Sequence, residues 1–150
     1  MTTHHSQPAI LRDETGSSTI ELCIYASVMF MFIAIITVAG RIAIAGDAVQ
    51  SAAAEAARAA SISRTAGDAQ SAAAGGASAI FTNSDLECVT TNVSVDTSGF
   101  GTPVGTAATV TATVDCDVAL NDLTLIPGLP GSHRITATMT SPIDTYRGRS

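Results

Sequence analysis

The chain has 150 residues and a formal net charge of −6, from seven basic residues against thirteen acidic ones. All seven basic residues are Arg and they are scattered, so there is no basic patch to hold phosphates, which argues against a nucleic acid partner. Hydrophobic residues make up 46% of the chain, but Ala dominates them, and with four Phe, two Tyr and no Trp an aromatic-lined small-molecule pocket is hard to build.

Residues 1–16 (MTTHHSQPAILRDETG) are polar, lack helical periodicity and end in Gly16, and are read as a leader. Residues 22–40 (LCIYASVMFMFIAIITVAG) contain no charged side chain. As a helix this run spans about 28 Å at about 1.5 Å per residue, close to the roughly 30 Å of a hydrocarbon core. It is expected to cross a membrane, because the rest of the chain offers too little apolar surface to bury such a helix in a soluble core. A secretory signal peptide would have a shorter apolar stretch and a basic flank. Here Arg12 is offset by Asp13 and Glu14, although Ala39 and Ala43 leave signal cleavage open as an alternative.

From Arg41 the helix continues. Ile35, Val38, Ile42, Ala45, Val49, Ala52, Ala56 and Ala59 follow alternating steps of three and four, a narrow apolar stripe on one face. The alanines make RIAIAGDAVQSAAAEAARAAS a strong helix former, and Glu55 lies three residues before Arg58, a supportive pair. The small-residue stripe allows close approach, either of the chain's own C-terminal domain or of neighbouring subunits. The helix is taken as 17–64, followed by a small-residue segment, 65–80. That segment reads as a connector, or as a short helix ended by Gly75-Gly76.

Beyond residue 80 the period becomes two. Val89, Thr91, Val93 and Val95 form one alternating set, and Val110 to Leu120 a second. Ile135, Ala137 and Met139 make a shorter third. The turn-rich stretches DTSGFGTPVGT and IPGLPGS separate them. The expected exported domain, 81–150, is a small antiparallel sheet of about three strands with one buried face, covered by the Ala-rich helix. The fold class is α+β.

Cys23 lies in the apolar run and reads as a small hydrophobe. Cys88 and Cys116 lie on consecutive expected strands, and a disulfide between them fits a domain outside the cytoplasm. It would close a loop of about 29 residues and stabilise by roughly 3–4 kcal/mol. Cys116 has the parity of the buried face, whereas Cys88 has the opposite parity to Val89–Val95. Pairing therefore requires a bulge or a strand start near Cys88.

At the start of the apolar run stands Gly16-Ser17-Ser18-Thr19-Ile20-Glu21. Glycine, four residues, glutamate and then a membrane helix resembles the type IV prepilin processing site. The resemblance implies cutting between Gly16 and Ser17 by a prepilin peptidase, with Glu21 then offsetting the N-terminal ammonium of a neighbouring subunit. A carboxylate at the hydrocarbon edge is costly and calls for such a partner. With Gly40-Arg41 at the outer end of the run and Ala53-Ala54-Glu55-Ala56-Ala57-Arg58 beyond, the stretch is similar to the TadE-like family of the tight-adherence (Flp) pilus system. It departs from that pattern at Ser27, where the family often has proline, and at Ala57, where it often has glycine. The resemblance covers about residues 15–61. It implies a minor pseudopilin without catalytic activity, with Gly40, Arg41, Glu55 and Arg58 in helix packing. The implied partners are membrane lipid, prepilin peptidase and other pilin or pseudopilin subunits. The implied location is the cell membrane, single-pass, with the N-terminus cytoplasmic and the C-terminal domain outside.

Other chemistry is weakly represented. His4 and His5 fall in the leader, and His133 sits in a Gly-Ser turn without a second His. Asp115, Asp117 and Asp122 lack the loop pattern of a calcium site and read as outer-face residues. No nucleophile elbow is present, and Gly75-Gly76 lacks the Lys of a phosphate loop. No cofactor, metal or catalytic residue is therefore expected. The alternative to a pilus component is a signal-anchored exported binding module with an uncleaved leader.

Overall fold

A computed structural model describes residues 15–119, 131–146 and 148. Most of the expected leader and Asp122 lie outside them. The chain divides into two compact units, residues 1–38 and 39–150. One helix, α1 (Thr15–Ser61), contributes to both.

In the first unit α1 shows its apolar side chains to the surroundings all round. Leu22 is 68% exposed, Phe30 73% and Ile36 68%. The most apolar window of the helix has mean hydropathy 2.5 with none of it buried inside the protein, so the helix is long and apolar enough to cross a membrane. Two of its hydroxyls are satisfied within the helix. Ser27 Oγ donates to the Cys23 carbonyl at 2.9 Å, and Thr37 Oγ1 to that of Ile33 at 2.8 Å. Neither then adds an unpaired polar group to an apolar environment.

The second unit contains the rest of α1, a second helix and a sheet. The second helix, α2 (Ala66–Asn83), is 18 residues long, which decides between the connector and the short helix. Thr65 caps it, its Oγ1 accepting from Asp68 N at 3.0 Å. Ala69, Ala73, Ala77 and Phe81 recur every four residues and form its buried face. The helix does not stop at Gly75-Gly76. A Cβ on Gly76 would lie 3.3 Å from the Glu55 carbonyl oxygen and 3.4 Å from the Ala59 Cβ, so this glycine marks a close approach of α2 to α1. Termination comes at Asn83, seven residues after Gly76. Leu86 N donates to Phe81 O and Asp85 N to Thr82 O, with Asp85 at φ 51, a Schellman motif that uses Asp where Gly is usual.

The strands are β1 (Cys88–Asp96), β2 (Ala108–Ala119) and β3 (Ser132–Ile143), antiparallel in the order β1-β2-β3. The α+β arrangement is thus the one expected. The third strand is longer than its apolar alternation indicated. It runs through Pro142, which an edge strand tolerates, and takes in His133, expected in a turn. Val110, Ala112, Val114 and Cys116 are fully buried on the inner face of β2. They join Val49, Ala52, Ala53, Ala56, Ala57 and Ala60 of α1 and the alanines of α2 in one core. The buried face of α1 is wider than the predicted stripe, since Ala53, Ala57 and Ala60 are also inside and Ala59 is only half-buried.

Cys88 and Cys116 form a disulfide with Cα atoms 5.4 Å apart. The parity conflict is resolved by an irregularity. Cys88 pairs with Val118 and Thr90 with Asp117, so Val89 is an extra residue and is 63% exposed. The bulge returns Cys88 to the inner face. On the outer face hydroxyls and carboxylates pair across the strands, Thr111 with Thr140, Thr113 with Thr138, and Thr136 with Asp115. Asp117 joins all three strands. It accepts two bonds of 2.8 Å from Arg134 on β3, and one from the Thr90 hydroxyl on β1. The edge of β1 is partly closed by Gln70 of α2, whose Nε2 donates to Val93 O at 2.8 Å.

Between β1 and β2 a short 3-10 turn (Ser98–Gly101) tucks Phe100 onto the core. Its Gly99 backbone lies so close to β2 that a Cβ would sit 2.2 Å from Thr109 O. Gly99→Ala is therefore expected to lose about 1–3 kcal/mol, the range for overpacking. Gly75→Ala, where a Cβ meets nothing within 4 Å, should instead gain about 0.5–1 kcal/mol from helix propensity. Denaturant unfolding of both variants in detergent checks the pair. Replacing Cys88 and Cys116 by Ala should lower stability by about 2–5 kcal/mol in the same assay. Asp117 titrates at about 2 rather than 3.8, held down first by Arg134 and then by Thr90. Its contribution is complete above about pH 4 and is lost as pH falls through about 2. Asp117→Asn should thus lie below the parent Tm at neutral pH and converge on it in that window.

Candidate processing and assembly surface

The residues singled out in the sequence are strung along α1 and do not converge on one pocket. Gly16 and Ser17 lie in its first turn and Glu21 one turn further. At about 1.5 Å per residue, Glu21 stands some 7–8 Å along the axis from Gly16.

Glu21 is exposed and has no ion pair or hydrogen bond with any described residue. It sits directly before Leu22, where the uncharged run begins. A carboxylate in that position gains most from a cation supplied from outside its own chain. Cys23 and Ser27, four residues apart, share a different face of the helix from Glu21, and all three are accessible.

Gly40 presents open backbone, since a Cβ there would meet nothing within 4 Å. Its lack of a side chain answers no need of the chain's own packing. Arg41 follows it, exposed, and lines a cleft in the second unit together with Ala45, Leu86 and His133. Glu55 and Arg58 are an i,i+3 pair with N···O 3.7 Å and an Arg58 side chain 77% exposed. An exposed pair of this kind contributes only about 0–1 kcal/mol. The Glu55 backbone matters more, because its carbonyl and Cγ are where Gly76 of α2 draws closest. That partner of Glu55 was not recognised from sequence, where Gly76 read as a helix stop. The signal was its position three residues after Ala73 and five before Phe81, inside the four-residue repeat of α2.

Asp115 and Asp117, considered as oxygen ligands, have their carboxylates engaged by Thr136 and by Arg134 and Thr90. Among the described residues no group of three His, Cys, Asp or Glu is arranged to hold a metal ion. Among the described residues the surface therefore offers exposed helix faces and, at Glu21, a carboxylate without a described partner at the start of an apolar run.

No curated protein and no solved structure matches the chain. Residues 16–58, which take in Gly16, Glu21, Gly40-Arg41 and the Glu55–Arg58 segment, match the family model described as TadE-like protein, a pilus-associated family.

Proposed function

We propose that the protein is a minor pseudopilin of a tight-adherence (Flp) pilus or a related secretion system, processed by a prepilin peptidase between Gly16 and Ser17. The observation that carries this reading is one of position. Within the span of the family match, Gly16 and Glu21 stand at the start of a single helix whose next nineteen residues, 22–40, are uncharged and largely exposed. A glycine at the cut lets the backbone extend into a tight peptidase site. The helix then holds the subunit in the membrane before assembly and packs against other subunits after it. Open backbone at Gly40 and Gly46 supports close packing from outside the chain.

In this reading Glu21 neutralises the new N-terminal ammonium of a neighbouring pilin or pseudopilin. The exported domain makes the partner contacts and lies outside the cytoplasm, which its disulfide supports. The leader lies on the cytoplasmic side.

Intact mass and N-terminal sequencing of the protein from its native membrane test the processing step. A chain starting at Ser17 is expected. A chain starting at Met1 would remove the peptidase from the account, and a start beyond Ala39 would remove the anchor as well. Glu21→Ala should leave that cleavage unchanged but lower recovery in the assembled fraction by more than about tenfold, because breaking a desolvated ion pair costs about 3–5 kcal/mol. Unchanged assembly would refute the role of Glu21.

A further inference from the structure

The second unit contains a cleft of about 610 Å³ that the pseudopilin reading does not use. It lies between α1 just beyond the apolar run, the turn after α2, and the ends of β2 and β3. Its lining has three kinds of chemistry in one place. Arg41 supplies a cation and His133 a second donor. Asp85 and Glu87 supply two carboxylates. Ile44 and Leu86 belong to an apolar wall. Ile44 is 70% exposed although it is a large aliphatic residue on a helix whose neighbouring positions, Ala45 and Ala48, are buried. The volume is within the usual range for small-ligand sites.

We infer that this cleft holds the headgroup of a zwitterionic aminophospholipid, with its phosphate toward Arg41 and His133 and its ammonium toward Asp85 and Glu87. The inference rests on the membrane-anchor reading above and adds a lipid class to it. Arg41 is the residue after Gly40, and Ile44 follows within about 6 Å along the helix. If 22–40 fills the hydrocarbon, these residues begin in the headgroup layer, which adds about 5–7 Å on each side of the core. A ligand there meets charged groups of both signs and an aliphatic wall, and a headgroup attached to acyl chains satisfies all three. An anionic headgroup without an amine would leave Asp85 and Glu87 facing a phosphate, an unfavourable pairing of like charges.

The test uses the full chain in phosphatidylcholine nanodiscs containing equal minor amounts of phosphatidylethanolamine and phosphatidylglycerol, with native mass spectrometry of the lipids retained after release. Ethanolamine lipid should be retained roughly fivefold over glycerol lipid, the factor expected of two partly exposed ion contacts acting together. The double variant Asp85→Asn, Glu87→Gln should lose that preference, and Asn suits the left-handed backbone at position 85. Arg41→Gln should reduce retention of both lipids. Circular dichroism of each variant checks that the domain remains folded, and Asp68→Asn, on an exposed turn of α2 outside the cleft, serves as a control that should change nothing. Equal retention of the two lipids, or a preference that survives the double variant, would overturn the inference. Resistance to alkaline extraction is scored separately. A chain that resists extraction but shows no preference loses only the lipid site, whereas a chain that is extracted loses the anchor and the lipid site with it.

Discussion

Nearly every residue where α1 meets the rest of its unit is alanine, and the rest of that unit's structure depends on this. Ala52, Ala53, Ala56, Ala57 and Ala60 are essentially inaccessible, and α2 answers with Ala69, Ala73 and Ala77. Side chains this short bring backbones together, and Gly76 takes the approach furthest, against the Glu55 carbonyl. The largest fully buried side chains are Val49, Val110, Val114 and Cys116, so each contact contributes little apolar area. A core of this kind relies on close packing in place of bulk.

Two other features compensate for that thin core. The disulfide ties the start of β1 to a fully buried position on β2, and the closed loop restricts the unfolded chain. The outer face of the sheet adds a polar ladder. Its most connected member is Asp117, which accepts from Arg134 and Thr90 on the two flanking strands. Both work at the sheet, away from the helix surface that the pseudopilin reading reserves for other subunits.

The candidate residues on α1 were legible because their meaning is local. Gly16 and Glu21 are defined by distance from each other and from the apolar run, and the uncharged stretch 22–40 is visible as composition alone. The segment 65–80 was ambiguous for the opposite reason. Its glycines lower helix propensity, and only the surface of α1 turns Gly76 from a weakness into a contact. His133 was read into a turn because Gly131 and Ser132 precede it, but pairing with Val118 extends β3 back over it.

The sequence by itself determined the α+β class, the span-length apolar helix, the alanine face that continues it and the inward parity of β2, because periodicity and composition act over a few residues. It also identified the two cysteines and the parity conflict between them. Only the tertiary structure decided how that conflict ends. A one-residue bulge at Val89 turns Cys88 inward, and whether a strand bulges depends on the register of its partner, not on its own residues. The same holds for the breadth of the buried face of α1 and for the three-strand contacts of Asp117. Each is set by elements distant in sequence that packing brings together.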